Sequence, residues 1–270
     1  MCRDTVWWRH LATDLMDRML YTAMSGAQRS LAAQDVAGHN LANVSTTGFR
    51  EMLTLSRAVD VQGEGLPTRV SSQLTTSGAS MAQGTIQSTG RALDVALDGP
   101  GMLVVQGADG EERYTRNGAL QIDADGMLTS GGLPVMGDGG PIALPLNAIV
   151  HIAADGGVSA RSAADAPDTM VLQAQLKLVN PESVPGGLPL ERGADGYFRQ
   201  PLTAEGVPAA PLVADPEVRV VSGALEGSNV SATDAMVAMI NNARGFEMQM
   251  KGIETAERMA ERGNSLLGLD

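Results

Sequence analysis

The sequence predicts an α+β protein: a central antiparallel β domain flanked by N- and C-terminal α-helices of coiled-coil type. Three observations carry this. Near the start, Leu20, Met24, Ala27, Leu31, Gln34, Gly38 and Leu41 step alternately by four and three residues. At the other end Met236, Met239, Ala243, Phe246, Met250, Ile253, Glu257, Ala260, Asn264 and Leu267 repeat that stepping, which is the seam of a two-stranded or higher-order coil. Between the ends, Asp-Gly pairs punctuate short apolar runs and no ten-residue helical pattern intervenes, so the middle reads as hairpins and not as an alternating α/β chain.

Taken in order, residues 1–15 stand apart. They hold both tryptophans, Trp7 and Trp8, and the single cysteine, Cys2. The segment is read as a non-native or disordered extension, with translation expected to start at Met16. It lacks the continuous apolar core of a secretory signal. Residues 16–50 form the N-terminal helix and the motif that follows it; Gly26 and Gly38 each weaken the helix by roughly 1 kcal/mol relative to alanine. Residues 51–90 turn to Ser, Thr, Gly and Gln, with Pro67 as the first proline, and read as an extended connector with a hairpin.

The β domain is expected over 91–221. Its punctuation is Asp98-Gly99, Asp109-Gly110, Asp125-Gly126, Asp138-Gly139, Asp155-Gly156 and Asp195-Gly196, each read as a two-residue hairpin loop. From Leu172 to Leu178 apolar and polar residues alternate strictly, predicting a strand with one buried face. Residues 222–270 form the C-terminal helix. Ser231 and Asp234 fit a capping box, Glu247 with Lys251 and Glu254 with Arg258 supply i,i+4 pairs, and the helix should reach about Leu267.

A helix cannot bury such a seam alone, so each terminus needs a helical partner. The expected assembly interface is Leu20, Met24, Leu31, Leu41, Met236, Met239, Phe246, Met250, Ile253 and Leu267. Among the methionines Met236, Met239, Met248 and Met250 could make a soft metal site or an adaptable packing surface; the seam positions favour packing.

Composition excludes several functions. A formal charge of −12 without any basic run argues against nucleic acid, because phosphate binding needs clustered Lys and Arg. No apolar stretch approaches the roughly 20 residues of a membrane span, so no integral membrane segment is expected. His10, His39 and His151 sit in three separate segments without paired metal spacing. The Gly-x-Gly runs at Gly63, Gly99 and Gly137 lack the third glycine and following helix of a dinucleotide fingerprint. Asp123-Ala124-Asp125-Gly126 lacks the further ligands of a calcium loop and reads as a turn. Asn43-Val44-Ser45 and Asn229-Val230-Ser231 match the glycosylation sequon, but both lie at helix boundaries, where Asn and Ser are expected as caps. No catalytic residue, cofactor or metal is expected.

The motif Asn40-Leu41-Ala42-Asn43, followed by Ser45-Thr46-Thr47-Gly48-Phe49-Arg50, resembles the N-terminal signature of bacterial flagellar rod and hook proteins. The resemblance continues in Arg91–Leu97, in Tyr114-Thr115-Arg116-Asn117-Gly118, in Leu225-Glu226-Gly227-Ser228-Asn229-Val230 and from Met239 to Lys251. Within the family the Phe246–Lys251 block and the length are most similar to the proximal-rod type. The distal-rod type usually has an aromatic pair where Met102-Leu103 stands here, and the hook protein usually has an additional outer domain. The resemblance implies a structural, non-enzymatic subunit of the periplasmic drive shaft. It further implies other rod subunits as partners, and delivery by the flagellar type III export apparatus. Two other readings compete: a β-domain binding module closed into a dimer or trimer by its helices, and a cell-wall glycan hydrolase, which would need two carboxylates flanking a cleft.

Overall fold

In the computed structural model, which describes residues 4–60, 70–162, 170–183, 190–193, 195–202 and 210–267, the chain divides into two units. Cys2 and Pro67 lie outside these residues, as do the side chains of Trp7, Trp8, Asn264 and Leu267. One unit gathers α1 (Asp4–Ala42) as far as Leu41, the 54–76 stretch and α2 (Ala232–Leu267). The other contains residues 42–53 and 77–231. Helix α1 does not stop at Met16 but continues back to Asp4. Helix α2 starts directly after the predicted cap Ser231 and ends at Leu267, as its pattern predicts, and Glu254 pairs with Arg258 on its surface.

The connector is more regular than its composition suggests. Strands β1 (Met52–Asp60) and β2 (Val70–Ala79) pair with each other. Then β3 (Ile86–Ser88) and β4 (Val95–Asp98) pair with strands from the far end of the unit, β19 (Ala224–Glu226) and β18 (Arg219–Ser222). The β unit thus begins before residue 91 and ends after residue 221, because both boundary segments have distant partners that local composition cannot reveal.

Between them run β5 (Met102–Gln106), β6 (Glu112–Thr115), β7 (Leu120–Ile122), β8 (Leu128–Ser130), β9 (Leu133–Pro134), β10 (Met136–Gly137) and β11 (Gly140–Pro141). These are followed by β12 (Ile149–Ile152), β13 (Gly157–Arg161), β14 (Val171–Gln175), β15 (Leu178–Val179), β16 (Glu191–Arg192) and β17 (Phe198–Arg199). The strand pairs formed among β3 to β19 are antiparallel, and the central sheet has the order β15-β5-β6-β17-β16. Strand β5 is buried on both faces. Leu103 and Val105 enter a core with Leu97, Leu128, Ile152 and Val158, whereas Met102 and Val104 enter a second core with Tyr114, Phe198 and Leu212. A strand sandwiched in this way reads as a continuous apolar run, which is what Met102–Val105 shows.

Asp138-Gly139 is a two-residue loop joining β10 to β11, as predicted, because Gly137 pairs directly with Gly140, but four of the other pairs close longer loops. The carbonyls of Gly107, Asp123, Ala153 and Gly193 accept from the N–H groups of Gly110, Gly126, Gly156 and Gly196. These four glycines have φ of 83, 81, 86 and 85°. Each of these four pairs is therefore the second half of a three-residue loop, a turn closed by a left-handed glycine. The aspartate fixes it locally: Asp109, Asp155 and Asp195 each accept, through Oδ1, the N–H two residues on.

The alternating run also differs from expectation. Leu176 and Leu178 are buried, but Leu172 is 64% exposed. A bulge explains this. Val158 pairs with Ala174 while Ser159 pairs with Leu172, so Gln173 is the extra residue. One added residue moves what precedes it to the opposite face.

Candidate assembly surface

Helical residues pack closest where side chains are smallest. Along α1, Ala27, Ala37 and Asn40 are buried; along α2, Ala235 and Ala256 are buried. Two contacts fix the register. A Cβ placed on Gly26 would lie 2.9 Å from Gln249 Cδ, and one placed on Gly245 would lie 3.2 Å from Ser30 Oγ. Four residues forward on α1 correspond to four back on α2, so the helices run antiparallel. On α2 the positions 235, 238, 242, 245, 249, 253 and 256 share one face by helical spacing, and at most of them stand Ala, Gly, Asn or Gln.

The large residues of the predicted seam fall largely outside this contact. Leu20, Met24, Leu31, Met236 and Met250 are exposed, by 37 to 49%. Leu41, Met239, Phe246 and Ile253 are half-buried. Leu267 closes α2. Phe246, Met250 and Ile253 line one groove of about 510 Å³ together with Glu247, Lys251, Glu254 and Glu257. The sequence pattern located the stripes but not the face used within the chain, because a search for large apolar residues passes over a parallel stripe of small ones.

The motif after α1 belongs to the β unit from Ala42 onward. Ala42 ends the helix, and the chain turns through Asn43, whose carbonyl and Oδ1 accept from Thr46 N–H and Oγ1–H. Thr47 is half-buried; Phe49 is buried beneath the Arg192 guanidinium, 4.2 Å from the ring centre. Gly48 is required twice over. Its φ is 67°, and a Cβ there would lie 2.3 Å from the Arg116 carbonyl carbon.

Beside it sits a buried ionic knot that sequence reasoning missed. Arg50 Nη2 is 3.0 Å from Glu226 Oε1, and Arg116 Nε is 2.9 Å from Glu226 Oε2. All three side chains are at most 2% exposed. Arg50 also donates to the Ala82 carbonyl, and Arg116 Nη1 donates to the carbonyls of Gly99 and Gly101. Glu226 Oε1 accepts the Gly84 N–H at 2.8 Å, and the Glu226 carbonyl accepts that of Gly48 at 2.8 Å. Burial, then the neighbouring Arg116 charge, pushes the Arg50 guanidinium down to about 10, with Glu226 opposing. Burial likewise lowers Arg116, again opposed by Glu226. Asn229 completes the knot as a bridge rather than a cap: Oδ1 accepts from Glu51 N–H at 2.7 Å, and Nδ2 donates to the carbonyls of Ser80 and Ala82. The available signal was a charged residue inside each of three motif blocks, namely Arg50, Arg116 and Glu226.

Among the described residues no group of three His, Cys, Asp or Glu could hold a metal ion, and no helix is long and apolar enough to cross a membrane. A concavity of about 680 Å³ in the β unit is lined by Glu112, Glu191, Tyr114 and Arg192 among others, and Lys177 Nζ holds Glu112 Oε1 at 2.6 Å.

Fold and site define a class: a chain whose two helix roots meet in one buried knot on a β body, and whose terminal helices pair through small residues while leaving large apolar ones uncovered. Residues 20–50 match the family described as "Flagella basal body rod protein", residues 96–160 the "Flagellar hook protein FlgE/F/G D1 domain" and residues 221–266 the "Flagellar basal body rod FlgEFG protein C-terminal". The chain is 48% identical over 254 residues to the flagellar basal-body rod protein FlgF of Salmonella typhimurium, covering 94% of this chain and 100% of that relative. FlgF of Escherichia coli K12 is equally similar, with the same coverage. FlgG of Agrobacterium fabrum is 32% identical, covering 90% of this chain and 97% of that relative. The chain belongs to the flagellar basal-body rod protein family.

Proposed function

We propose that this chain is a structural subunit of the periplasmic flagellar rod that joins other rod subunits through the uncovered apolar stripes of α1 and α2. The observation that carries this reading is the exposure of Leu20, Met24, Leu31, Met236 and Met250 in a member of the rod family. The magnitudes set the mode of assembly. Each of these side chains is a little under half exposed, so covering one is worth on the order of 1 kcal/mol. Five together give about 5 kcal/mol, near the lower end of the roughly 4–15 kcal/mol that association costs in lost freedom. One pairwise contact in free solution is therefore marginal. A position at a growing end, touching several neighbours at once, is not.

The contact is heterologous, because a two-fold interface closes a dimer and stops growth. Torque passes through the interlocked helices. No step is catalytic; this is supported by family membership and by the engagement of Glu112 with Lys177. Delivery by the flagellar export apparatus is supported by family membership. The proximal position in the shaft is supported by the higher identity to FlgF of Salmonella typhimurium and Escherichia coli than to FlgG of Agrobacterium fabrum and by Met102-Leu103, whose side chains fill two opposite cores. Replacing Phe246 with Asp tests the reading. The variant should keep a folded β unit yet be missing from isolated basal bodies, and cells relying on it should not swim; normal swimming would count against the proposal.

A further inference from the structure

Within the β unit, residues 42–53 follow α1 and residues 226–231 precede α2, and these two stretches of chain are bound directly to each other. Gly48 N–H donates to the Glu226 carbonyl, Asn229 N–H donates to the Phe49 carbonyl at 3.3 Å, and Glu51 N–H donates to Asn229 Oδ1. The side chains repeat the pattern: Arg50 pairs with Glu226, and Arg192 Nη1 donates to the Arg50 carbonyl at 3.0 Å. The same groups also reach the 80–84 segment, through Ala82, Ser80 and Gly84. Two buried guanidiniums share one carboxylate, so the loss of Glu226 would strand two positive charges in low dielectric.

We propose that Glu226 and Asn229 form a clasp that makes the two helix roots a single cooperative unit, so that a displacement of one root is passed to the other through side chains and not only along the chain. Its use in a shaft under torque rests on the rod reading above. The clasp couples residues more than 170 positions apart, and it is complete only when both ends of the chain are present. Neighbouring parts of the β unit do not share it, since the N–H groups of Val104 and Leu128 donate to the carbonyls of Lys177 and Ile142.

Amide hydrogen exchange on the full-length protein tests this, with Glu226→Gln and Asn229→Ala as separate variants. In both, the N–H groups of Gly48, Glu51 and Gly84 should exchange faster together, on the order of 100-fold for a buried network that has lost a partner, while Val104 and Leu128 stay protected. Glu51 must respond to Glu226→Gln, and Gly84 to Asn229→Ala, although neither touches the altered residue. If each variant loosens only the amides it contacts, or if Val104 and Leu128 loosen equally, there is no clasp. Should Glu226→Gln not fold, Asn229→Ala decides alone. Absence of the unaltered chain from basal bodies would remove the rod reading while leaving the exchange result to stand on its own.

Discussion

Gly48 and Glu226 set the terms on which the N-terminal motif meets the β body. Any side chain at Gly48 would combine a left-handed φ with a clash against backbone, which cannot move aside as a flexible side chain would. Gly48→Ala should therefore cost about 1–3 kcal/mol, seen as a lower urea midpoint with an unchanged slope. Glu226→Ala leaves Arg50 and Arg116 buried without a counter-charge and should cost about 3–5 kcal/mol. Replacing Arg50, Arg116 and Glu226 together by Met, Met and Met should cost far less than Glu226→Ala, because no buried charge remains. A triple variant as unstable as the single one would show that the penalty does not come from stranded charge.

Among the elements, the helices were legible in the sequence and their mutual face was not. The four-and-three stepping of Leu20 to Leu41 and of Met236 to Leu267 located both helices, and Ser231 located the start of α2 to the residue. The face buried within the chain follows Ala27, Ala37, Gly245 and Ala256, which hydropathy ranks low but which allow close approach. Gly245→Leu should force the helices apart against Ser30. Helical circular dichroism should fall and the thermal transition of the β unit should stay where it was; a helical signal unchanged by this substitution would place the α1–α2 contact elsewhere. The β unit was legible in kind through its Asp-Gly turns and the Met102–Val105 run. Its limits were not, because β3 and β4 find their partners more than 120 residues away, and the bulge at Gln173 turned Leu172 outward without any local mark. The buried knot was invisible for the same reason: three charges in three blocks become one site only after the chain has folded.

At the scale of the whole molecule, the account holds that small residues join the two helices of one chain and large ones join that chain to its neighbours. Net charge of −12 fits this division, since it keeps free subunits apart until a growing end offers enough apolar contact. Methionine oxidation measures the claim directly, because a thioether reacts according to its exposure. Met24, Met236 and Met250, each 44 to 47% exposed, should oxidise readily in the free protein and be protected in isolated basal bodies, while Met102, 1% exposed, should be protected in both. Equal reactivity of Met24, Met236 and Met250 before and after assembly would contradict the account.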